Sequence, residues 1–152
     1  MLGKVSRILA RREGFVISDD PDLIQVDVVH GFLTRESYWR PGVTREVVQR
    51  AMAASLCLGV YTDDEAMVGF ARVVSDTVTY AWLDDVFIIS AYRGQGLGDW
   101  LIGIALAHPD VADVAAIMLL TADAQQLYGR HGFQEFSGWE SVMIRTKPEP
   151  TD

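Results

Sequence analysis

The chain is expected to fold as a mixed α/β (α+β) domain with a central, mostly antiparallel sheet and helices on both faces. Three observations lead there. Apolar runs of strand length at 56–61, 67–74 and 79–89 follow one another with only short turns between them, the pattern of an antiparallel meander. Two helical periodicities precede the meander. A glycine-rich loop, a third helical pattern and a further apolar run come after it, which makes a strand-loop-helix-strand crossover.

Taken in order, Phe15-Val16-Ile17-Ser18 reads as a short strand closed by the turn-forming Asp19-Asp20-Pro21. Leu23 or Ile24, Val28, Val29 and Phe32 recur at helical spacing, predicting a helix over 22–33. Thr34 to Gly42, with "SYWRPG", is loop-like. Thr44 can cap a second helix in which Val47, Val48, Ala51, Met52 and Ser55 share a face. The acidic turn 62–65 separates the first two strands of the meander. Leu97, Trp100, Leu101, Ile104 and Ala105 obey the amphipathic rule, and His108-Pro109 ends that helix. A strand over 114–120, a helix over 122–131 and closing strands at 133–136 and 141–145 complete the reading. Residues 1–152 are expected to form one domain, with a basic extension at 1–12 and a polar tail at 147–152.

Composition narrows the functional classes. About half of the 152 residues are hydrophobic, enough for one core. The net charge is −8, and without residues 1–12, which hold Lys4, Arg7, Arg11 and Arg12, the body has nine basic and 21 acidic residues. Such a body repels nucleic acid and attracts cations, or is simply kept soluble by its charge. No apolar run reaches the roughly 18 residues that cross a bilayer, so no membrane partner is expected. The 1–12 segment reads as an extension packed on the domain, a disordered start or a short basic amphipathic helix. The single Cys57 excludes an internal disulfide and suits a reducing cytoplasm, and three scattered histidines carry no metal-ligand spacing.

The stretch "AYRGQGLGDW" (91–100) holds the chemistry. A P-loop needs Lys-Ser/Thr after its last glycine, and a dinucleotide fingerprint needs glycine at position 99, which is Asp99. Both patterns fail. Arg93-Gly94-Gln95-Gly96-Leu97-Gly98 instead fits Arg/Gln-x-x-Gly-x-Gly/Ala, and here the chain resembles the GNAT superfamily of acyl-CoA-dependent N-acetyltransferases. Backbone N–H groups at the positive end of a helix suit a pyrophosphate, and a Cβ at the glycine positions would hold it off. Arg93 adds a phosphate contact or sets the loop's shape. In the family the loop follows the fourth strand, as it does here by the count above.

Two further segments carry the resemblance. Leu127-Tyr128-Gly129-Arg130-His131-Gly132-Phe133 matches the family's Leu-Tyr-x-x-x-Gly-Phe, and "GFARVVSD" (69–76) is typical of its third strand. "SYWRPG" and "TYAWLDDVFI" resemble one subgroup of small bacterial acetyltransferases. The resemblance implies the GNAT acyl-CoA N-acyltransferase fold, acetyl-CoA (coenzyme A) as cofactor, and Val86, Phe87 and Ile88 as the strand whose backbone pairs with the pantetheine arm. It also implies Tyr128 as the acid for the leaving thiolate. Family members are often dimers, so a homodimer is compatible with the resemblance.

Acetyl transfer to an amine also needs a proton acceptor, because an amine of pKa near 10.4 is mostly protonated at neutral pH. Family members often place a base two or four residues before the position of Val86. Trp82 fills one slot and Asp84 the other, so Asp84 is expected to accept the proton, to hold the acceptor's ammonium group, or to pair with an arginine. Strand alternation predicts that Asp84 and Asp85 face opposite sides of the sheet. Tyr38, Trp39 and Trp82 are expected to wall the acceptor site, with Tyr38 and Trp39 equally readable as lid packing. The expected activity is N-acetylation of a small-molecule or peptide amine in a ternary complex. The rival is an acyl-CoA-binding sensor or partner-binding module without catalysis.

Overall fold

Glycine and acidic turns set the strand boundaries in the computed structural model, which describes residues 7–147. The chain divides into two compact units, one running to Thr121 and the other from Ala122. The first unit holds strands β1 (Ile8–Arg12), β2 (Phe15–Ser18), β3 (Leu56–Thr62), β4 (Met67–Ser75), β5 (Tyr80–Ile88) and β6 (Ala116–Met118). Its helices are α1 (Val26–Arg35), α2 (Arg45–Ala53) and α3 (Leu97–Ala107). The strands form one sheet in the order β1-β2-β3-β4-β5-β6. Every neighbouring pair is antiparallel except β5 and β6, which α3 joins by a parallel crossover.

One face of the sheet is covered by α1 and α2. Val29, Phe32, Leu33 and Val48 pack there with Cys57, Tyr61, Met67, Phe70 and Phe87. Strand alternation sends Leu58 and Val60 to the other face, where α3 packs on β3, β4 and β5 and buries Leu97, Leu101, Ile102 and Ala105. Full burial of side chains such as Leu101 and Ile102 contributes about 2 kcal/mol each.

Several sequence expectations change. Residues 8–12, read as part of an extension, are a sheet strand: Arg12 opposes Phe15 across a turn in which Gly14 takes φ 80°. Residues 1–6 of that extension, and 148–152 of the polar tail, lie outside the described residues. The helix expected over 22–33 begins as a 3-10 turn, Pro21–Leu23, and starts again at Val26. The break is at Gln25, whose amide donates to the Glu65 carbonyl at 2.7 Å and accepts the Met67 N–H at 3.3 Å, clipping the helix start to the β3–β4 turn. Thr44 does cap α2, accepting the Val47 N–H.

The end of α3 is tied to β2 by a buried cluster. His108 Nδ1 accepts the Asp110 N–H at 3.1 Å, so Nε2 carries the ring proton and donates to Asp19 Oδ2 at 3.0 Å. Arg7 donates to both Asp19 oxygens. Burial opposes ionisation of Asp19, but the hydrogen bonds from His108 and Arg7 outweigh it and hold the carboxyl below its ordinary 3.8.

In the second unit, α4 (Gln125–Gly129) is shorter than the expected helix over 122–131. The expected closing strands at 133–136 and 141–145 are not formed, and Trp139–Ser141 is a 3-10 turn. Apolar residues alone do not make a strand. A strand needs a neighbouring edge for its backbone groups, and Met143 and Ile144 stand exposed.

Candidate active site

Strand β5 carries the densest polar cluster of the first unit. Its pairing with β4 slips between Phe70 and Arg72, and Asp85 there takes a left-handed φ of 51°, a conformation aspartate tolerates better than most residues. This bulge overturns the expectation that Asp84 and Asp85 face opposite sides, because the extra residue turns both carboxylates toward the same two arginines. Arg72 donates through Nε to Asp85 Oδ2 and through Nη2 to Asp84 Oδ2, both at 2.8 Å. Arg40 reaches the same pair from the α1–α2 loop, with Nη2 2.8 Å from Asp84 Oδ2 and Nε 3.1 Å from Asp85 Oδ1.

Two charges of each sign thus balance. Trp39 Nε1 donates to Asp85 Oδ1 at 3.0 Å, and Ser55 Oγ accepts from Arg72 Nη1 at 3.1 Å. The side chains of Asp85 and Arg72 are 5% and 7% exposed, and that of Asp84 is 21% exposed. Burial works against the charge on Arg40, but Asp85 and Asp84 outweigh it and raise its pKa. Oδ2 of Asp84 is shared by two guanidinium groups, and its Oδ1 accepts the Asp85 N–H. That arrangement suits an anchor better than a free base.

The loop with Trp39 and Arg40 is held over this cluster. Tyr38 packs edge-on against Trp39 at 5.0 Å, and Trp39 leans on Phe32, which stacks on Phe87 of β5 at 4.0 Å. Tyr38 remains exposed. Trp82 is half-buried on β5, opposite Val74 of β4 and Met118 of β6. The ladder between β5 and β6 covers only Tyr80 to Trp82. Past that point β5 continues to Ile88 without a β6 partner among the described residues, and Val86, Phe87 and Ile88 lie on this stretch.

The glycine loop follows immediately. Gly94 and Gly96 take φ of 82° and 76°, a region other residues enter only with strain. A Cβ on Gly94 would meet nothing within 4 Å, so the conformation and the open space above it, not crowding, are what glycine serves. Gly96 precedes α3 and offers no side-chain cap to it. The first N–H groups of a helix have no intrahelical acceptor, and this helix therefore presents them, with its positive dipole end, beside a bare loop. The Arg93 guanidinium donates from Nε to the Ile88 carbonyl at 2.9 Å, which ties the loop back to β5. Gln95 bonds the Tyr92 carbonyl, Leu97 is buried, and Gly98 lies against Ile88.

Tyr128 belongs to the second unit, on α4. Its ring packs edge-on against Phe133 at 5.7 Å, and its carbonyl accepts the N–H groups of His131 and Phe133 as Gly132, at φ 86°, turns the chain out of the helix. His131 helps close that turn through its backbone. Among the described residues no cluster of His, Cys, Asp or Glu could hold a metal, and no helix is long and apolar enough to cross a membrane.

The sequence reading did not single out Arg40 and Arg72, although both lie inside segments it quoted. The signal was present: an arginine between apolar residues in a strand interior requires a carboxylate opposite it, and Asp84 and Asp85 are the acidic residues of the next strand.

A mostly antiparallel sheet that opens beside its fifth strand, followed by a glycine loop at a helix start, defines an acyltransferase-type fold. Comparison with known proteins agrees. The family described as acetyltransferase (GNAT) domain matches residues 54–135. A crystal structure of a GNAT-family candidate acetyltransferase from Xanthomonas campestris is 36% identical, covers 88% of this chain and 94% of its own, and superposes with a TM-score of 0.84. A Gibberella zeae protein named as a candidate acetyltransferase is 28% identical over 88% of each chain. An acetyltransferase-like protein of Clostridium acetobutylicum, solved with acetyl-CoA, shares the fold at 11% identity and a TM-score of 0.65, over 86% of this chain and 94% of its own. The chain belongs to the GNAT acetyltransferase family.

Proposed function

We propose that this protein is an acetyl-CoA-dependent N-acetyltransferase that passes the acetyl group to a primary amine by direct attack in a ternary complex. The observation that carries this reading is the loop 93–98, bare of side chains at two left-handed glycines, placed between a stretch of β5 that has no β6 partner among the described residues and the start of α3. Coenzyme A fits there by chemistry: a pyrophosphate takes N–H donors at a helix start, and an amide-bearing arm takes a strand edge. When bound, it supplies an activated acyl thioester.

Each residue then has a task. Gly94, Gln95, Gly96, Leu97 and Gly98 offer the backbone donors, and Arg93 holds the loop to β5. The backbone of Val86, Phe87 and Ile88 orients the arm. Tyr128 Oη gives its proton to the departing thiolate, and the attacking amine loses its own proton through water on the acceptor side. Asp84, fixed with Asp85 between Arg40 and Arg72, positions the loop bearing Tyr38 and Trp39, which with Trp82 walls the acceptor side. A cationic small amine or peptide amine suits a chain of net charge −8. Cys57 is no nucleophile, because burial raises its thiol to about 11. One domain, a cytoplasmic location and a homodimer belong to the same proposal.

The shared use of Asp84 by two guanidinium groups favours, as the second reading, a coenzyme A-binding module without turnover. Thiol release from acetyl-CoA with a panel of polyamines, amino acids, aminoglycosides and peptides separates the two. Intersecting initial-velocity lines and an approximately 100-fold loss of kcat in Tyr128→Phe are expected. Unchanged turnover in that variant removes Tyr128 from the mechanism, and no turnover with any amine favours the binding module.

A further inference from the structure

Arg12 ends strand β1, far outside the residues that match the family. Its guanidinium carbon nevertheless sits 4.7 Å from the centre of the Trp100 ring, in the first turn of α3. One terminal nitrogen comes within 3.8 Å of the place a Cβ on Gly96 would occupy. The β1–β2 hairpin explains the reach. Arg12 opposes Phe15, and Phe15 packs edge-on against Tyr92 at 6.1 Å, so the tip of the hairpin leans on the segment that leads into the glycine loop.

Some arginines of the described residues are engaged by carboxylates and others are not, and Arg12 is among those that are not. Arg7, Arg40, Arg45, Arg50 and Arg72 each face a carboxylate. Among the described residues none forms an ion pair with Arg12, although the chain carries eight more negative than positive charges. Arg93, the arginine of the loop motif, has its Nε committed to the Ile88 carbonyl. A guanidinium stacked on an indole is pre-oriented while its N–H edge stays available, so little side-chain freedom remains to be lost when an anion arrives.

We propose that Arg12 is a phosphate-binding residue of this site. It would lie on Trp100 and donate to a phosphate group of the coenzyme A nucleotide, beside the backbone donors of loop 93–98. The inference rests on the coenzyme A reading and adds to it a residue from the N-terminal hairpin. Two phosphate sources share the chemistry, the pyrophosphate and the 3′-phosphomonoester.

Calorimetric titration with coenzyme A and with 3′-dephospho-coenzyme A, each at two salt concentrations, tests it. Arg12→Ala is expected to weaken coenzyme A binding about ten-fold at low salt and to flatten its salt dependence. Arg12→Lys, which keeps the charge without the stacked fork, falls between the two. A loss that persists with the dephospho compound assigns the pyrophosphate, and one that disappears assigns the 3′-phosphate. Binding within two-fold of wild type, even with a lowered melting temperature, overturns the proposal and leaves Arg12 a packing residue. Failure of the wild-type protein to bind coenzyme A overturns the cofactor reading itself, and this inference with it.

Discussion

Strand β5 and the glycine loop that follows it are built on opposite principles. Around Asp84 and Asp85, a bulge gathers two carboxylates, two guanidinium groups, an indole and a hydroxyl into a partly buried network. Beyond Ile88 the chain sheds side chains, and its shape comes from left-handed glycines and one arginine bonded to a carbonyl. The contrast separates two ways of making a site. A charge network positions by mutual pairing and is costly to interrupt, because each member lost leaves another charge buried. A glycine loop positions by backbone and costs little to alter in stability, yet it has no spare means of holding a ligand.

Substitutions at the two ends should therefore give different signatures. Asp85→Asn keeps the left-handed backbone preference but leaves Arg72 short of a counter-charge, and a loss of about 3 kcal/mol in urea unfolding is expected. Asp84→Asn, at the more exposed carboxylate, should cost less, and equal losses would mean that the two carboxylates are not distinguished by burial. At the other end Gly96→Ala strains the left-handed φ by about 1 kcal/mol, with coenzyme A affinity falling about ten-fold or more. A variant that binds coenzyme A normally would show that the loop is only a helix entry.

The smallest effect is expected from the cluster of Asp19, Arg7 and His108, which belongs to neither end. Asp19 has its folded pKa below the ordinary value, so its stabilisation is present above about pH 4 and fades as the pH falls through the lowered folded value. Urea midpoints of the wild type should drop more steeply below about pH 4 than those of Asp19→Asn. Parallel acid limbs would mean that the bonds from Arg7 and His108 do not bias its titration.

Much of the fold was legible because its signals are local. Period-two and period-3.6 patterns located β2 to β5, α2 and α3, and Thr44 marked the start of α2. The failures have tertiary causes. Residues 8–12 become a strand because β2 offers an edge and Glu13-Gly14 can turn. The helix expected from residue 22 breaks because Gln25 is taken by the β3–β4 turn. The runs at 133–136 and 141–145 form no strand, because apolar residues alone do not pair the backbone groups. At the site, the spacing of Arg93 to Gly98 sufficed to find the loop, while Arg40 and Arg72 went unremarked because their partners are distant in the chain.

By itself the sequence determined the loop, its glycine positions and the family, since backbone conformation at a glycine and the register of a motif are properties of a few consecutive residues. Tertiary structure alone decided which charges meet. The β5 bulge turned two adjacent carboxylates toward Arg72 of the next strand and Arg40 of a distant loop, and the β1–β2 hairpin brought Arg12 to the mouth of α3. Pairing of this kind depends on strand register and on burial of partners far apart in the chain, which no local pattern encodes.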